Sequence, residues 1–325
     1  MKKKVSLIIL AVVVFGALIV GCSNNKKISS DSSVVKVSIQ PYPLYAPIYI
    51  AKELGYLEES LKDTNIEVKW QSFKSGTLVN ESFAAGESDI GVLGDVPAII
   101  AKGSGQDIEI ISNVAYGEKS LAILVAKDSS ISDPAQLKGK KVAYVKGSYA
   151  HHLLSIILEN EGLTFKDIES VNLDAADIQV AINNGQVDAG VLWEPYVTLG
   201  EKSGLEEVLV DGTNVKRSNL VAMANKEYAE NNSEVVEAFI KAYNQGCDYL
   251  NENPEEAAKL ISDELNVSED DLIDIFKNLN YTAEITSDDI SELKVVEKFL
   301  KDESLISNEV DIDKLVNTKY LENSK

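Results

Sequence analysis

The sequence predicts an α/β protein built from two similar lobes. Short apolar strands alternate with loops and helices along most of the chain, which is typical of parallel sheets covered by helices. One such unit starts at Gly86 and recurs 99 residues later, at Gly185. About 290 residues follow an N-terminal targeting segment and a polar tether, which is more than one core usually contains. We therefore expect two domains of ordinary size.

Residues 1–21 form the targeting segment. Three lysines precede an apolar run over 5–20, and the segment ends at Gly21, directly before Cys22. The run is shorter than the roughly 20 residues that span a bilayer, so a signal peptide fits better than a retained membrane anchor. The small residue before Cys22 resembles the lipobox of bacterial lipoproteins, whose cysteine receives a diacylglycerol group. Residues 22–33 are polar and predict a flexible tether.

The remaining chain is strongly acidic. Loss of residues 1–21 removes three lysines and no acidic residue, so the formal net charge changes from −21 to −24. This charge makes nucleic acid and anionic membrane surfaces poor partners for the bulk surface, although helix N-termini can still bind an anion locally. With Cys22 lipidated, Cys247 is the other cysteine, so no intramolecular disulfide is expected. We expect Cys247 to be buried as a small apolar residue.

The first lobe begins with two strand, loop and helix units. A strand over 35–40 and a loop rich in proline and tyrosine precede a helix over 48–54. A second strand over 68–73 leads into a helix that begins at Ser75, Gly76 and Thr77. Loops that follow parallel strands in this way lie together at one edge of the sheet.

The repeat follows these units. Residues 86–95 recur as residues 185–194 with five identities, and each copy follows a strand, a loop and a helix of similar length. Because Gly-x-x-Asp is a common turn, chance similarity is the alternative interpretation. The matched flanking elements favour two duplicated lobes that face each other.

The second lobe contains the clearest anion-binding signal. A strand over 142–145 ends at Lys146, Gly147 and Ser148, and apolar residues at helical spacing follow until Gly162. Ser148 is a natural N-cap, so the loop presents unpaired backbone N–H groups and the positive end of the helix dipole. We expect this loop to form one jaw of a cleft for a small anionic ligand.

Two apolar runs, 121–126 and 220–224, mark the limits of the second lobe. After the second run the chain becomes helical and acidic, with helices that begin at Ser233 and Pro254. We predict that lobe one comprises 34–121 plus 222–325 and that lobe two comprises 122–221. The two chain crossings between the lobes would form a hinge.

Motifs across nearly the whole mature chain resemble the solute-binding proteins of bacterial ABC importers for aliphatic sulfonates, taurine and nitrate, in the NMT1/THI5-like group. The motifs that carry this resemblance are Ala51 to Leu57, Phe83 to Asp89, Gly94-Asp95-x-Pro97, Lys138 to Val142, Lys146-Gly-Ser-x-x-His151, Gly185-x-x-Asp188 and Trp193-Glu-Pro-Tyr196.

The resemblance implies a two-lobed periplasmic-binding-protein fold of type II, in which each lobe is a mostly parallel sheet flanked by helices. It implies a monomer without a cofactor that closes on a ligand and delivers it to a membrane permease with a separate ATPase subunit. A lipid on Cys22 would hold the receptor at the extracytoplasmic face of the cell membrane. The expected ligand is an aliphatic sulfonate or taurine. A thiamine pyrimidine precursor, nitrate or a riboflavin-like ligand is the alternative.

An enzymatic role is not expected. The sequence has no Gly-x-Ser-x-Gly and no Cys-x-x-Cys, and it lacks the cysteine-rich stretch associated with pyrimidine synthesis in a related fungal group. His151 and His152 are consecutive and point about 100° apart on a helix, so they cannot hold one metal together. We expect no metal site. His151 matches a family position, whereas His152 is predicted at the surface.

The predicted ligand-binding residues lie in loops at the carboxyl ends of strands in both lobes. Backbone N–H groups and hydroxyls would bind the anion, and the aromatic rings would pack against an alkyl or aromatic portion. Two carboxylates, Asp95 and Glu194, either cap helices or contact an amine of the ligand. Arg217, the single arginine, is predicted at the surface rather than in the site. The full set is Gln40, Tyr42, Tyr45, Ser75, Gly76, Thr77, Gly94, Asp95, Gly147, Ser148, Tyr149, His151, Asp177, Trp193, Glu194 and Tyr196.

Overall fold

The computed structural model describes residues 33–324. The predicted signal peptide, Cys22 and almost all of the tether lie outside these residues. Within the described part, the chain forms two separate sheets, each flanked by helices. The predicted two-lobed α/β architecture is confirmed.

Six strands form the first sheet. They are β1 (Val34–Ile39), β2 (Glu67–Ser72), β3 (Ile90–Gly94), β4 (Ile108–Gly117), β10 (Ser218–Asn225) and β11 (Asn280–Tyr281). Their order across the sheet is β11-β4-β10-β3-β1-β2. Strands β1, β2 and β3 are parallel, whereas β10 runs antiparallel to both β3 and β4.

Five strands form the second sheet. They are β5 (Leu121–Ala126), β6 (Lys141–Tyr144), β7 (Glu169–Asn172), β8 (Ala189–Trp193) and β9 (Glu206–Asp211). Their order is β7-β6-β8-β5-β9. Here β6, β7 and β8 are parallel, and β5 is antiparallel to its two neighbours. Both sheets are therefore mixed rather than mostly parallel. The apolar runs of β5 and β10 are buried on both faces, and such runs look the same in either strand direction.

Thirteen α-helices are present in the described part of the chain. They are α1 (Ala46–Glu53), α2 (Tyr56–Ser60), α3 (Gly76–Ala84), α4 (Asp95–Gly103), α5 (Tyr149–Asn160), α6 (Ala175–Asn183), α7 (Tyr196–Ser203), α8 (Lys226–Asn231), α9 (Ser233–Glu252), α10 (Pro254–Leu265), α11 (Glu269–Phe276), α12 (Ser287–Asp302) and α13 (Ile312–Leu315). Short 3-10 turns occur at Pro43–Tyr45, Pro134–Leu137, Phe165–Asp167 and Thr318–Leu321. The predicted helix starts at Ser233 and Pro254 are confirmed. Across residues 33–324, no helix combines the length and the apolar character that a membrane crossing needs.

The predicted internal repeat is confirmed by matching contacts in the two sheets. The Asp89 carboxylate accepts a hydrogen bond from the Lys36 N–H at the start of β1, at 2.8 Å. The equivalent Asp188 carboxylate accepts one from the Lys141 N–H at the start of β6, also at 2.8 Å. The two parallel pairs that follow, β1 with β3 and β6 with β8, occupy the same place in each sheet. Each Gly-x-x-Asp turn therefore joins the start of the strand that follows it, β3 or β8, to the start of the neighbouring parallel strand, β1 or β6.

The chain passes between the sheets twice. It leaves β4 at Gly117 and enters β5 at Leu121, and it returns between the end of β9 at Asp211 and the start of β10 at Ser218. The predicted lobe boundaries at 121/122 and 221/222 thus lie inside β5 and β10, because an apolar run does not reveal which sheet it joins. The division into two lobes that move about a hinge stays a prediction.

One buried ion pair connects the return crossing to the first sheet. The Lys216 side chain is 1% exposed, and its ammonium lies 3.3 Å from Oδ2 of Asp95, whose side chain is not exposed at all. Oδ1 of Asp95 accepts the Val96 N–H at 2.7 Å, within the first turn of α4. Removing one partner of such a pair leaves an uncompensated charge in a medium that solvates it poorly.

We predict that Lys216→Met lowers the free energy of unfolding by about 3–5 kcal/mol, because it leaves the Asp95 carboxylate buried without a counterion. Asp95→Asn in addition should recover most of this loss, since the amide is neutral and its oxygen can still accept the Val96 N–H. Urea denaturation of both variants measures the effect.

Lys127→Met is the matched control, because its partner Glu207 lies 2.8 Å away in a pair that is largely exposed. Its effect should stay below about 1 kcal/mol. A double variant no more stable than Lys216→Met alone would contradict the prediction.

Candidate functional site

The main cleft lies between the two sheets, at the carboxyl ends of their parallel strands. Loops after β1, β2 and β3 face loops after β6, β7 and β8 across a space of about 1200 Å³. This is the edge at which open α/β sheets bind ligands. A small inner pocket of about 30 Å³ lies between the same loops. Four residues line both the cleft and this pocket: Tyr42, Ser75, Gly147 and Trp193.

Helix α3 begins at the cleft. Ser75 is its N-cap, with extended backbone angles and a side-chain Oγ that accepts the Leu78 N–H at 3.4 Å. Gly76 is required by close packing, because a Cβ there would lie 2.6 Å from Cγ of Pro97 in α4. The first turn of α3 therefore presents its remaining N–H groups and the positive end of its dipole to the inner pocket.

Helix α5 begins on the opposite side of the same pocket. Ser148 is its N-cap, as predicted, and its Oγ accepts the His151 N–H at 3.3 Å and donates to the Val145 carbonyl at 2.7 Å. Gly147 has φ +77°, a left-handed conformation that favours glycine. Two helix N-termini from different sheets thus converge on one small space.

The two sides of the cleft come very close at Gly94 and Tyr149. A Cβ on Gly94 at the end of β3 would lie 2.6 Å from Cδ1 of the Tyr149 ring on α5. Tyr149 is buried, and its ring centroid lies 5.2 Å from that of Trp193 at the end of β8. Gly94 therefore allows the first turn of α5 to approach the first sheet.

An aromatic wall lines the cleft. The Tyr42 ring lies edge-on to Trp193, with centroids 6.1 Å apart, and edge-on to Tyr196 at 6.3 Å. The Tyr42 hydroxyl donates to the Lys74 carbonyl at 2.8 Å, which fixes the loop before α3. Behind this wall, the Gln40 amide donates to the Tyr45 hydroxyl at 2.9 Å.

Trp193 carries a polar atom without a partner. Its side chain is 6% exposed, and its indole N–H donates no hydrogen bond to any of the described residues. Trp193 lines both the cleft and the inner pocket. A buried donor costs free energy unless an acceptor satisfies it. Trp193 and the two helix N-termini line the same inner pocket, and helix N-termini favour a ligand with acceptor oxygens.

All predicted binding residues except Asp95, His151 and Glu194 line the cleft or its inner pocket. Their contact with a ligand stays a prediction. Sequence reasoning missed several lining residues, of which Lys74 and Lys146 each directly precede a predicted jaw and could have been found from that position. The other missed residues included Asn80, Glu81, Pro97, Asn172 and Asp174.

The two carboxylates at matched repeat positions do not face the cleft. Asp95 is paired with Lys216, as described above. Glu194 is fully buried and accepts hydrogen bonds from the N–H and hydroxyl of Thr198 and from the Asn278 amide, at 2.9 to 3.1 Å. Burial raises the pKa of Glu194, while these donors favour its charged form. Of the two expected roles, these hydrogen bonds fit capping: each carboxylate accepts a backbone N–H in the first turn of a helix, α4 for Asp95 and α7 for Glu194.

His151 and His152 are both buried behind the cleft. His151 stacks on Tyr144 with centroids 4.8 Å apart, and His152 stacks on Phe299 of α12 at 4.4 Å. Burial, with the nearby Lys146 charge, lowers the pKa of His151 to about 4. Burial, with Lys216 and His151, lowers that of His152 to about 2. The prediction that His152 lies at the surface is wrong, because α12 covers it.

Arg217 and Cys247 also lie outside the cleft lining. Arg217 pairs with Asp289 and lies over the Tyr116 ring, 4.4 Å from its centroid, so it is partly covered rather than a free surface residue. Cys247 is buried in α9, as predicted, and burial raises the pKa of its thiol to about 12. Over residues 33–324, no cluster of His, Cys, Asp and Glu side chains has the arrangement of a metal site.

Comparison with known proteins identifies relatives of this chain. A family model described as NMT1/THI5 like matches residues 42–257. A Bacillus subtilis (strain 168) protein assigned to the binding of aliphatic sulfonates is 31% identical over 291 residues, covering 89% of this chain and 86% of the relative. The taurine-binding periplasmic protein of Escherichia coli (strain K12) is 30% identical over 262 residues, which covers 75% of this chain and 80% of that protein.

A solved structure shares the whole fold. The crystal structure of the periplasmic aliphatic sulphonate binding protein SsuA from Escherichia coli superposes with a TM-score of 0.78 at 26% identity, covering 87% of this chain and 96% of SsuA. The resemblance found in the sequence motifs is thereby confirmed. The chain belongs to the NMT1/THI5-like family and has the two-lobed fold of its periplasmic binding proteins.

Proposed function

We propose that this protein is a lipid-anchored extracytoplasmic receptor of an ABC importer, which closes on a small sulfonate and delivers it to a membrane permease. The observation that carries the proposal is the convergence of the α3 and α5 N-termini with the unpartnered Trp193 indole N–H in one pocket. A sulfonate group presents three acceptor oxygens to donors that come from both lobes. Binding would therefore favour the closed arrangement.

The charge of the loops supports the same ligand class. Lys74 precedes the α3 jaw and Lys146 precedes the α5 jaw, and both line the cleft. These two positive charges lie beside the helix N-termini, in a chain that carries a formal net charge of −21. The relatives named for aliphatic sulfonates and taurine support the choice of a sulfonate over nitrate.

A binding role without catalysis fits the residues that line the cleft. None of the lining residues is a cysteine or a histidine, and Cys247, the thiol in residues 33–324, lies in α9 outside the lining. The side chains present can bind and orient a ligand by hydrogen bonds and ring contacts. Turnover of a bound sulfonate by the pure protein would overturn this part of the proposal.

We predict that propane-1-sulfonate binds the purified protein and that Trp193→Phe weakens its affinity by roughly tenfold or more. The variant removes one hydrogen bond to a charged acceptor and retains an aromatic ring. Isothermal titration calorimetry measures the change. Trp70→Phe is the matched control, since the Trp70 indole donates to Glu58 at 2.8 Å and does not line the cleft.

A ligand panel tests the class itself. Butyrate, nitrate, a hydroxymethylpyrimidine and riboflavin are compared with the sulfonate by thermal shift, because a ligand that binds the folded state raises the unfolding temperature with its affinity. Stabilisation by the pyrimidine or the flavin and not by any sulfonate would overturn the ligand and leave a solute receptor of another specificity.

We predict that Cys22→Ser moves the protein from the membrane fraction to the soluble extracytoplasmic fraction of a bacterial host. The substitution removes the thiol that would carry the lipid. Labelling with a radioactive fatty acid and cell fractionation measure the change. Cys247→Ser is the control and should remain lipidated and membrane-bound. Retention of Cys22→Ser in the membrane would refute the lipid anchor.

A further inference from the structure

A segment outside the cleft lining contacts both sides of the aromatic wall. It comprises α11 and the residues that follow it as far as Tyr281, and we call residues 269–281 the supporting segment. Helix α11 packs on the Pro43–Tyr45 turn of the first lobe and also on α7 of the second lobe. Tyr42 directly precedes that turn, and Tyr196 is the first residue of α7. The segment therefore lies against the elements that carry the facing rings.

One end of the supporting segment is bonded to the first-lobe side of the wall. The Tyr281 hydroxyl donates to the Pro43 carbonyl at 2.8 Å. Tyr281 also belongs to β11, which pairs with β4 of the first sheet, so its position is fixed by that sheet. The turn itself is closed by the Tyr45 N–H, which donates to the Tyr42 carbonyl at 3.0 Å. Tyr42 is thus connected to the supporting segment through a single short turn.

A second hydrogen bond connects the segment to the opposite side of the wall. The Asn278 side-chain amide donates to the Glu194 carboxylate at 3.0 Å. This fully buried carboxylate also accepts the Thr198 N–H at 3.1 Å, in the first turn of α7. Glu194 directly follows Trp193 and lies two residues before Tyr196. Asn278 is therefore bonded to the residue that holds the second-lobe rings and the start of their helix.

The position of Asn278 is set where the chain first crosses between the sheets. A Cβ on Gly117, the last residue of β4, would lie 2.2 Å from the Asn278 carbonyl oxygen, so a glycine is needed for this close approach. In the same crossing, the Ser120 carbonyl accepts the Glu194 N–H at 3.1 Å. The supporting segment and the loop that carries the second-lobe rings therefore meet at the crossing.

An ion-pair cluster joins the other ends of α7 and α11. The Lys202 ammonium, in the last turn of α7, lies 2.7 Å from Oδ1 of Asp271 and 2.6 Å from Oδ2 of Asp274. Lys202 lowers the pKa of Asp271, and together with Lys277 it lowers the pKa of Asp274 to about 2. A cation in the last turn of one helix and an acid in the first turn of the other also suit both helix dipoles. The two helices are thus bonded near both ends, across the boundary between the lobes.

We infer that the supporting segment sets the spacing of the aromatic wall, with Asn278 and Lys202 as positioning residues that keep the rings on α7 and before it facing Tyr42. Neither positioning residue lines the cleft or the inner pocket. Ring contacts weaken steeply when a gap of about 1 Å opens, so a small displacement of α7 would loosen the wall. The inference concerns the position of the wall and not the identity of the ligand, and it therefore goes beyond the proposed function.

Hydrogen exchange in the ligand-free protein, followed by mass spectrometry, tests the inference without a ligand. Backbone amides in 194–203 should exchange roughly threefold faster or more in Lys202→Met and in Asn278→Ala, because α7 opens more easily. Lys202→Arg keeps the charge and should restore the rate. Lys277→Met is the matched control, since Lys277 pairs with Asp274 at 2.7 Å and makes no ion pair with α7. It should leave the exchange of α7 unchanged.

Calorimetric titration with propane-1-sulfonate measures the effect on binding. The affinity should fall roughly threefold in Lys202→Met and about tenfold in Asn278→Ala, and Lys202→Arg should stay within about twofold of the unmodified protein. The loss in Lys202→Met should shrink at high salt, because salt screens an exposed pair, whereas a general loss of structure would not depend on salt in this way. In an Asp271→Asn/Asp274→Asn background, Lys202→Met should have no further effect.

The two measurements separate this inference from the proposed function. Unchanged exchange of α7 in both Lys202→Met and Asn278→Ala would overturn the inference, whatever the ligand. Faster exchange with unchanged affinity, or an equal effect of Lys277→Met, would also overturn it and leave the proposed function intact. Failure of the unmodified protein to bind any sulfonate would overturn the proposed function alone.

Discussion

Asp95 and Lys216 are opposite charges held out of solvent at the point where the return crossing meets the first sheet. The pair lies next to the inner pocket, because Asp95 directly follows Gly94, which lines that pocket. A lone carboxylate there would oppose an anion in the pocket. Lys216 cancels this charge, so the α3 and α5 N-termini keep their positive potential. The geometry of the cleft and its electrostatics therefore depend on the same contact.

The duplicated unit explains why the site is divided between the sheets. In each copy an aspartate side chain joins the turn to the neighbouring strand, through Asp89 and Lys36 or through Asp188 and Lys141. The strand that follows each turn, β3 or β8, ends at the cleft. The copies then diverge at their last two positions, where Gly94-Asp95 corresponds to Trp193-Glu194. Glycine on one side lets the Tyr149 ring approach, and tryptophan on the other supplies the ring and the indole N–H. The two copies of the repeated unit thus provide the space for the Tyr149 ring at Gly94 and the indole of Trp193.

Local signals made much of this architecture predictable. Ser75 and Ser148 each precede a run of apolar residues at helical spacing, which predicted a helix start at both positions. Both residues are N-caps in the structure. Features that depend on distant partners were not predictable. Lys216 is separated from Asp95 by 121 positions, and Phe299 covers His152 from a helix far along the chain. Strand direction was also not predictable, because a buried apolar run such as β5 has the same pattern in a parallel and in an antiparallel strand. Pattern reveals where a loop reaches the cleft, but not which side chains turn toward it.

The position of the two tryptophans gives the molecule an intrinsic optical reporter. Trp70 is on the edge strand β2, away from the cleft, and its indole is already bonded to Glu58. Trp193 lies between the two lobes with an unbonded indole N–H and two tyrosine rings beside it. A ligand in the proposed site would change the polarity around one indole only. The emission of Trp193 would then follow occupancy against the constant background of Trp70, so that the native chain could be titrated without a dye or an engineered label.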